Sequence, residues 1–578
     1  MKKRKLEMGE RGFVCPFFKL RQFLITLPSK WYFWPLVGGV LLIVIYIFYA
    51  AFAYTKAVPD LSQVEVGAHN YYDKLQEAYR AMMNQMNNYP AAVFFTGLFL
   101  ILAILVIYLI RKKQFNLPLA LVMILIMGIS MRILYGVSTD AILERQHDVW
   151  HSRGYGHYGI IVHLYQTGEL PPVTTLIVDG VVTPHIAGAY QLYHPKLFHY
   201  AAAYFMRFNR LFFGDNVWTL YQSIRILVMW TSVMTFLIGY RLIQRLNLSN
   251  FGKVIALLFL SFSPVFYRLS AMTNNDNFMV FFLTIAIYNT VNFYHKPSLV
   301  SGIGIALGIG LAMASKLSGG LIALLVAIVF VITLIKTFLK DKKQRNYRST
   351  WRLLLTFGVF AVIVFPLGLY WPIYNLKHYH QEFTYVFQVT NPNLMIKDAT
   401  FLQRFIFLPL DQFTKGIFVD LSWQNRVGDF NIYATMIKSS AFGEFSSKFF
   451  LLGYFLYLAS IALFFFFFIV MLYLLVQGLI HKKWPRHFAF LFALGYVALS
   501  FVSYVYFNVK HPATCTMDFR YLAPAVLTVA ILFGYGGTTL AQEEPSKRRK
   551  LHVQFATLLL FGFYSLFSIG YYIALLTI

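Results

Sequence analysis

The chain has 578 residues, 58% of them hydrophobic, 19% aromatic and 13% charged, and its 50 Lys+Arg against 23 Asp+Glu give a formal net charge of +27. So few charges do not coat a water-facing surface, and no polar basic domain gathers them as a nucleic-acid-binding protein does, which excludes a soluble enzyme and a nucleic-acid partner. Cys15 and Cys515 lie at opposite ends of the chain, which excludes a disulfide framework and a cysteine zinc cluster.

A bilayer span needs about 20 apolar residues. Thirteen segments meet that criterion: 31–53, 92–110, 117–136, 221–240, 254–272, 278–294, 299–315, 319–338, 353–371, 449–477, 488–507, 521–540 and 554–577. The seventh and eighth look short and are separated only by a turn containing Lys316. The fold expected is therefore an all-α polytopic membrane protein with about 13 transmembrane helices and external amphipathic helices and loops. The first hydrophobic stretch is too long for a signal-peptide core and has no small-residue cleavage pattern behind it, so it reads as a retained anchor.

Basic residues then orient the chain. The N-terminal MKKRK, Arg111-Lys112-Lys113, Arg241 to Lys253, KDKKQRNYR from Lys340, HKKWPR from His481 and SKRRK from Ser546 all fall on one side of a thirteen-span path. By the positive-inside rule that side is cytoplasmic, with the N-terminus in and the C-terminus out. The cytoplasmic segments hold 29 of the 50 Lys+Arg and 5 of the 23 Asp+Glu, so the net charge is mostly a statement about orientation.

The long connections lie opposite, at 54–91, 137–220 and 372–448, with a short one at 508–520. Loops of this size usually carry function or fold as helical caps; Tyr71 to Met86 has the mixed periodicity of an interfacial helix. The 137–220 loop holds seven of the fifteen histidines: His147, His151, His157, His163, His185, His194 and His199. Asp148 lies close to the membrane surface, where partial desolvation suits a carboxylate to act as general base, although a lone loop Asp also serves as a helix cap. Asn274-Asn275-Asp276-Asn277 closes the fifth span and opens the sixth, where Asp276 suits a helix cap. Lys316 sits at membrane depth, where a lysine costs roughly 2.5 to 3.5 kcal/mol on insertion scales unless it snorkels or serves a ligand. Arg520, in Asp518-Phe519-Arg520-Tyr521, offers a fixed charged fork to phosphate oxygens or a structural pair to Asp518. One outward carboxylate among outward cations suits a substrate with an apolar tail and a phosphate head.

The string H-D-V-W, then G-H-Y-G-I-I, G-E-L-P-P, Y-H-P-K-L-F-H-Y, N-N-D-N-F, A-S-K-L-S-G and D-F-R-Y-L-A-P, in that order between Gly136 and Pro524, resembles the GT-C membrane glycosyltransferases. Within them it is similar to the family 39-like group related to protein O-mannosyltransferases and lipid A aminoarabinose transferases. The resemblance implies that Asp148 deprotonates an acceptor hydroxyl, which attacks the anomeric carbon of a polyprenyl-phosphate sugar with inversion while lipid phosphate departs. It implies a family histidine at His157, an H-P-P-L-like stretch at His194 and Pro195, and phosphate-neutralising cations at Lys316 and Arg520. Lys196 stands where relatives commonly have a second proline, as an added phosphate ligand. Asn275, Asp276, Arg426 and Glu444 are candidates for substrate contact or support. The family's catalytic loop usually follows the first span, so residues 31–110 read as an added N-terminal hairpin after a basic 1–30 segment, with 111–578 as the catalytic domain; otherwise Asp60 rivals Asp148.

No cofactor is firmly implied. His147 and His151, spaced i, i+4 around Asp148, leave a divalent metal as an alternative, although no HExxH pattern occurs. The other rivals are a polymerase or ligase of lipid-linked glycans and a lipid or sugar flippase; the missing internal repeat and the one-sided polar groups speak against transport. Expected partners are a polyprenyl-phosphate sugar donor, a lipid, glycan or protein acceptor and membrane lipids. A bacterial plasma membrane is favoured over an endoplasmic reticulum membrane, because the N-x-S/T sequon Asn247-Leu248-Ser249 falls on the cytoplasmic side.

Overall fold

The structure, a computed structural model, describes residues 33–53, 89–112, 116–139, 156–171, 175–178, 181–184, 193–379, 381–383, 395–396, 399–416, 430–481, 488–542 and 547–575. Its helices are α1 (Phe33–Phe52), α2 (Tyr89–Arg111), α3 (Leu117–Ser138), α4 (His157–Thr167), α5 (Leu197–Phe213), α6 (Val217–Arg245), α7 (Asn250–Phe262), α8 (Pro264–Leu269), α9 (Asn275–His295), α10 (Leu299–Ser315), α11 (Ala323–Gln344), α12 (Arg348–Tyr379), α13 (Phe401–Phe405), α14 (Ile432–Phe442), α15 (Phe450–His481), α16 (Phe488–Lys510), α17 (Val526–Gln542) and α18 (Lys547–Ala574), with 3₁₀ turns at Leu317–Ile322, Gln412–Thr414, Thr514–Met517 and Phe519–Ala525. Among the described residues eleven helical stretches are long and apolar enough to cross a membrane, and the shorter apolar α7 and α10 complete the thirteen expected.

Three details differ from expectation. The eighth span is not short: with its leading 3₁₀ turn it runs 28 residues, Leu317–Gln344. The fifth breaks into α7 and α8 at Ser263, because Pro264 has no N–H for the Leu260 carbonyl. Arg132 of α3, 1% exposed, supplies the missing donors: Nη2 donates to Leu260 O at 3.0 Å and Nη1 to Ser261 O at 3.1 Å. Its guanidinium also lies 4.2 Å from the centre of the Phe236 ring, so a cation at membrane depth is satisfied without a carboxylate. The third difference is a two-stranded antiparallel hairpin, β1 (Thr175–Val178) with β2 (Val181–Pro184), in register Val178↔Val181. The sequence between these strands is Asp179-Gly180, a pair that two-residue hairpin loops favour, with β-branched residues on both sides. The interfacial helix expected at Tyr71 to Met86 lies outside the described residues.

Close packing of the bundle uses glycine where backbones approach. A Cβ at Gly308 of α10 would lie 2.7 Å from the Ala286 nitrogen of α9, and one at Gly304 would lie 2.5 Å from the Asn289 side chain. The two glycines are four residues apart on one face, which lets the short tenth helix seat tightly against α9.

The N-terminal pair docks through α1. Trp230 Nε1 of α6 donates to Gly38 O at 2.9 Å. Tyr46 donates to Asn209 Oδ1 at 2.5 Å, and Asn209 Nδ2 donates to Ser223 Oγ at 2.6 Å, so one amide ties α1, α5 and α6 together. Asn209 is fully buried. Replacing it with Ala strands the Tyr46 hydroxyl, and Asn209→Ala is expected to lower stability in detergent by about 1–2 kcal/mol, with Tyr46→Phe costing less. Thermal unfolding of the two purified variants checks this; equal effects would place the bond's weight on Tyr46 instead.

Candidate active site

The polar residues that matter gather where α8 and α10 end and where α9 and the Phe519–Ala525 turn begin. Asn274 caps α9: its Oδ1 accepts the Asp276 N–H at 3.1 Å. A carboxylate in the first helical turn is favoured by the helix dipole, and Asp276 Oδ1 accepts Lys316 Nζ at 2.6 Å. Lys316 is the residue at which α10 ends and the chain turns into the next span. The pair is buried, with side-chain exposures of 11% for Lys316 and 2% for Asp276, so Lys316 reaches inward and does not snorkel. Asn275 Nδ2 donates to Ser315 O at 3.1 Å, fastening the start of α9 to the end of α10.

A second buried pair lies beside it. Arg520 Nη1 sits 3.6 Å from Glu444 Oε1, at side-chain exposures of 11% and 2%. The local partner expected for Arg520 is not the one used by its guanidinium: Asp518 Oδ1 instead accepts the Arg520 backbone N–H at 2.8 Å and caps the 3₁₀ turn. Glu444 is brought in by the end of α14. Gly443 has φ of 70° and lets the chain turn away, while Arg268 Nη2 donates to Ser439 O at 2.5 Å and Lys438 Nζ to Gly443 O at 2.9 Å. Arg268, Met272, Glu444, Asp518 and Arg520 line a small cavity at this junction. The Tyr521 ring lies between the two pairs, 5.2 Å from Lys316 Nζ and 5.4 Å from the Arg520 guanidinium carbon.

The third group comes from the 193–199 stretch. The Tyr193 carbonyl accepts Trp371 Nε1 at 3.2 Å, which ties this turn to α12. Lys196, 3% exposed, lies 5.2 Å from the Trp371 ring centre. His194 packs on the Tyr193 ring at 4.0 Å. His199 and His157 meet edge to edge between α5 and α4, Nε2 to Nδ1, at 2.9 Å. Burial, and then the charges of Lys316, His157, Lys196 and Arg520, hold His194 well below the usual imidazole range. Burial likewise pushes the Lys196 amine well down.

The site at rest is thus a set of cations already matched by carboxylates, with further bases held toward their neutral forms. An arriving anion reverses both conditions: it gives Lys316 and Arg520 a second partner and favours protonation of His194 and Lys196. The structure brings together His157, His194, Lys196, Asn275, Asp276, Lys316, Glu444 and Arg520 at one end of the bundle. Asp148, His147, His151, Arg426 and Asp60 lie outside the described residues. Among the described residues no group of three His, Cys, Asp or Glu side chains is arranged to hold a metal ion. His199 and Arg268 are site residues that the sequence did not single out for a role.

Residues 194–371 match the sequence model of the dolichyl-phosphate-mannose-protein mannosyltransferase family. The matched segment makes up less than a third of the chain. It opens at His194 and takes in Lys196, His199, Arg268, Asn275, Asp276 and Lys316, the larger part of the cluster described above. No curated protein matches the chain. Among solved structures, ArnT from Cupriavidus metallidurans bound to undecaprenyl phosphate is 14% identical, with 78% of this chain and 76% of that one covered at a TM-score of 0.38. The oligosaccharyltransferase of Archaeoglobus fulgidus in the apo form is 12% identical, with 79% of this chain and 56% of that one covered at a TM-score of 0.42.

Proposed function

We propose that the protein transfers a sugar from a polyprenyl monophosphate to an acceptor hydroxyl, at the end of the bundle where the cluster lies, with that end facing away from the cytoplasm. The observation that carries the reading is the pairing of two buried cations, Lys316 with Asp276 and Arg520 with Glu444, beside His194 and Lys196 and largely within the mannosyltransferase-like segment. A site organised this way favours a ligand that brings negative charge on one compact head group.

In this reading Asp148 accepts the proton of the acceptor hydroxyl. The acceptor oxygen forms its bond to the anomeric carbon as the bond from that carbon to the phosphate oxygen breaks, and the lipid phosphate leaves with the electron pair. Attack opposite the leaving group inverts the anomeric configuration. Lys316 and Arg520, with Lys196 and His194 as they gain protons, stabilise the charge that develops on the departing phosphate. Residues 1–30 and the 31–110 hairpin are additions to a catalytic domain of 111–578. The basic connections support an N-terminus in the cytoplasm, and the acceptor is a lipid, a glycan or a protein.

The test is a donor comparison with purified protein in lipid nanodiscs, followed by mass spectrometry of the lipid products. A sugar on a polyprenyl monophosphate is expected to be consumed with release of polyprenyl phosphate. Consumption only of diphosphate-linked oligosaccharide would favour a glycan ligase, and movement of intact lipid across the bilayer without cleavage would favour a flippase; either result overturns the proposal.

A further inference from the structure

The small cavity beside Glu444 is not sealed, and it has room for about one water-sized group. Leu269 and Met272 give it an apolar lining, while Arg268, Glu444, Asp518 and Arg520 bring two guanidiniums and two carboxylates to it. Asp518 is 2% exposed. Its Oδ1 accepts the Arg520 backbone N–H at 2.8 Å, and its Oδ2 takes no hydrogen bond from any described residue. Arg268, equally buried, gives Nη2 to the Ser439 and Ser440 carbonyls at 2.5 and 3.4 Å, while its Nε is buried with no hydrogen-bond partner. A buried carboxylate oxygen without a donor carries its desolvation cost uncompensated, which marks this one for a group that arrives in the cavity. A hydroxyl fits in size and in kind: it donates its hydrogen to a carboxylate and accepts one from a guanidinium. A phosphate oxygen would face two carboxylates there, and an ammonium has nothing with which to accept.

We propose that Asp518 reads the hydroxyl next to the anomeric carbon of the donor sugar, so that the substrate is a sugar with a free 2-hydroxyl and not a 2-acetamido sugar. This rests on the reading of the protein as a transferase that expels lipid phosphate. Arg520 ties the cavity to that chemistry: it lines the cavity and, paired with Glu444, is one of the cations assigned to the phosphate. The phosphate is bonded to the anomeric carbon, and along the bonds the 2-hydroxyl is the sugar hydroxyl nearest to it. A phosphate held by Arg520 therefore brings that hydroxyl toward the same residue. An acetamido group in its place is too bulky for a cavity of this size. As the phosphate departs, positive charge grows on the anomeric carbon, and hydrogen bonds made by the 2-hydroxyl strengthen in such a transition state.

The test gives the full chain in nanodiscs, native and Asp518→Asn, polyprenyl-phosphate donors carrying hexoses and pentoses in 2-hydroxy and 2-deoxy forms, and 2-acetamido hexoses. Asn keeps a side-chain oxygen for the Arg520 N–H, so the turn stays capped and Tm is expected to change little. Native protein is expected to lose about 100-fold or more in kcat/KM on the 2-deoxy donor, and to use the 2-acetamido donor no better. Asp518→Asn is expected to lower kcat/KM about 30-fold on the 2-hydroxy donor but less than about threefold on the 2-deoxy donor, which already lacks the group that Asp518 reads. Its binding of undecaprenyl phosphate, which has no sugar, is expected to stay within about threefold of native. Equal losses on the two donors, weakened binding of undecaprenyl phosphate, or a 2-acetamido donor used as well as its 2-hydroxy counterpart would overturn the assignment and leave the cavity to a structural water. The donor comparison on native protein decides the matter without any variant, should Asp518→Asn not fold. Cleavage of no polyprenyl-phosphate donor at all by native protein would sink the functional reading instead.

Discussion

Lys316→Met is expected to destabilise the protein by about 3–5 kcal/mol, read as a large fall in Tm in detergent, because it leaves the Asp276 carboxylate buried and alone. The double variant Lys316→Met/Asp276→Leu removes both charges, and replacing a buried pair by apolar side chains is often neutral or stabilising, so most of that loss should return. The cap of α9 survives the double change, since it is the backbone N–H of residue 276 that Asn274 accepts. Activity separates the two roles of Lys316. If the lysine neutralises the leaving phosphate, transfer stays down by about 100-fold or more in the stable double variant, the size of loss seen when one preorganised donor to a developing anion is removed. Recovery of transfer together with stability would make the pair purely structural. The geometry favours the double role: a carboxylate 2.6 Å away holds the ammonium in place at the junction of α9 and α10, yet a phosphate offers more charge and more oxygens than the carboxylate alone.

Most of the membrane architecture could be read from the residues. Span length and apolarity depend on local composition, and bilayer thickness fixes the scale, so eleven helices long and apolar enough to cross, and the two shorter apolar helices α7 and α10, appear where the hydropathy places them. The break at Ser263 is invisible to hydropathy because a span containing Pro264 is still apolar; its signal is Arg132, a cation within a span whose need for donor-hungry carbonyls points to a broken neighbour. The hairpin at 175–184 also had its signal, Asp-Gly between β-branched residues, inside a loop read as merely polar.

The site divides along a similar line. Asp276 and Lys316 each stand out alone, one in an Asn/Asp cluster and one at membrane depth, but their contact spans 40 residues and needs the fold. Arg520 suggested its neighbour Asp518 on proximity in the chain. The structure gives Asp518 to the backbone N–H and Glu444 to the guanidinium, because a short side chain two residues back is better placed to cap a turn than to meet a long one. His199 was one histidine among seven in its loop, and only the packing of α5 on α4 sets it apart.

Asp148→Asn tests the central claim most directly. The amide keeps the shape of the carboxylate but takes no proton, and loss of a general base lowers rates by about 10²–10⁴-fold. The measurement is single-turnover transfer from a polyprenyl-phosphate sugar by native protein and Asp148→Asn, matched for Tm and for retention of undecaprenyl phosphate. The account predicts that the variant binds the lipid phosphate as the native protein does while transfer falls by about 10³-fold or more. Transfer at the native rate by a folded Asp148→Asn would contradict it.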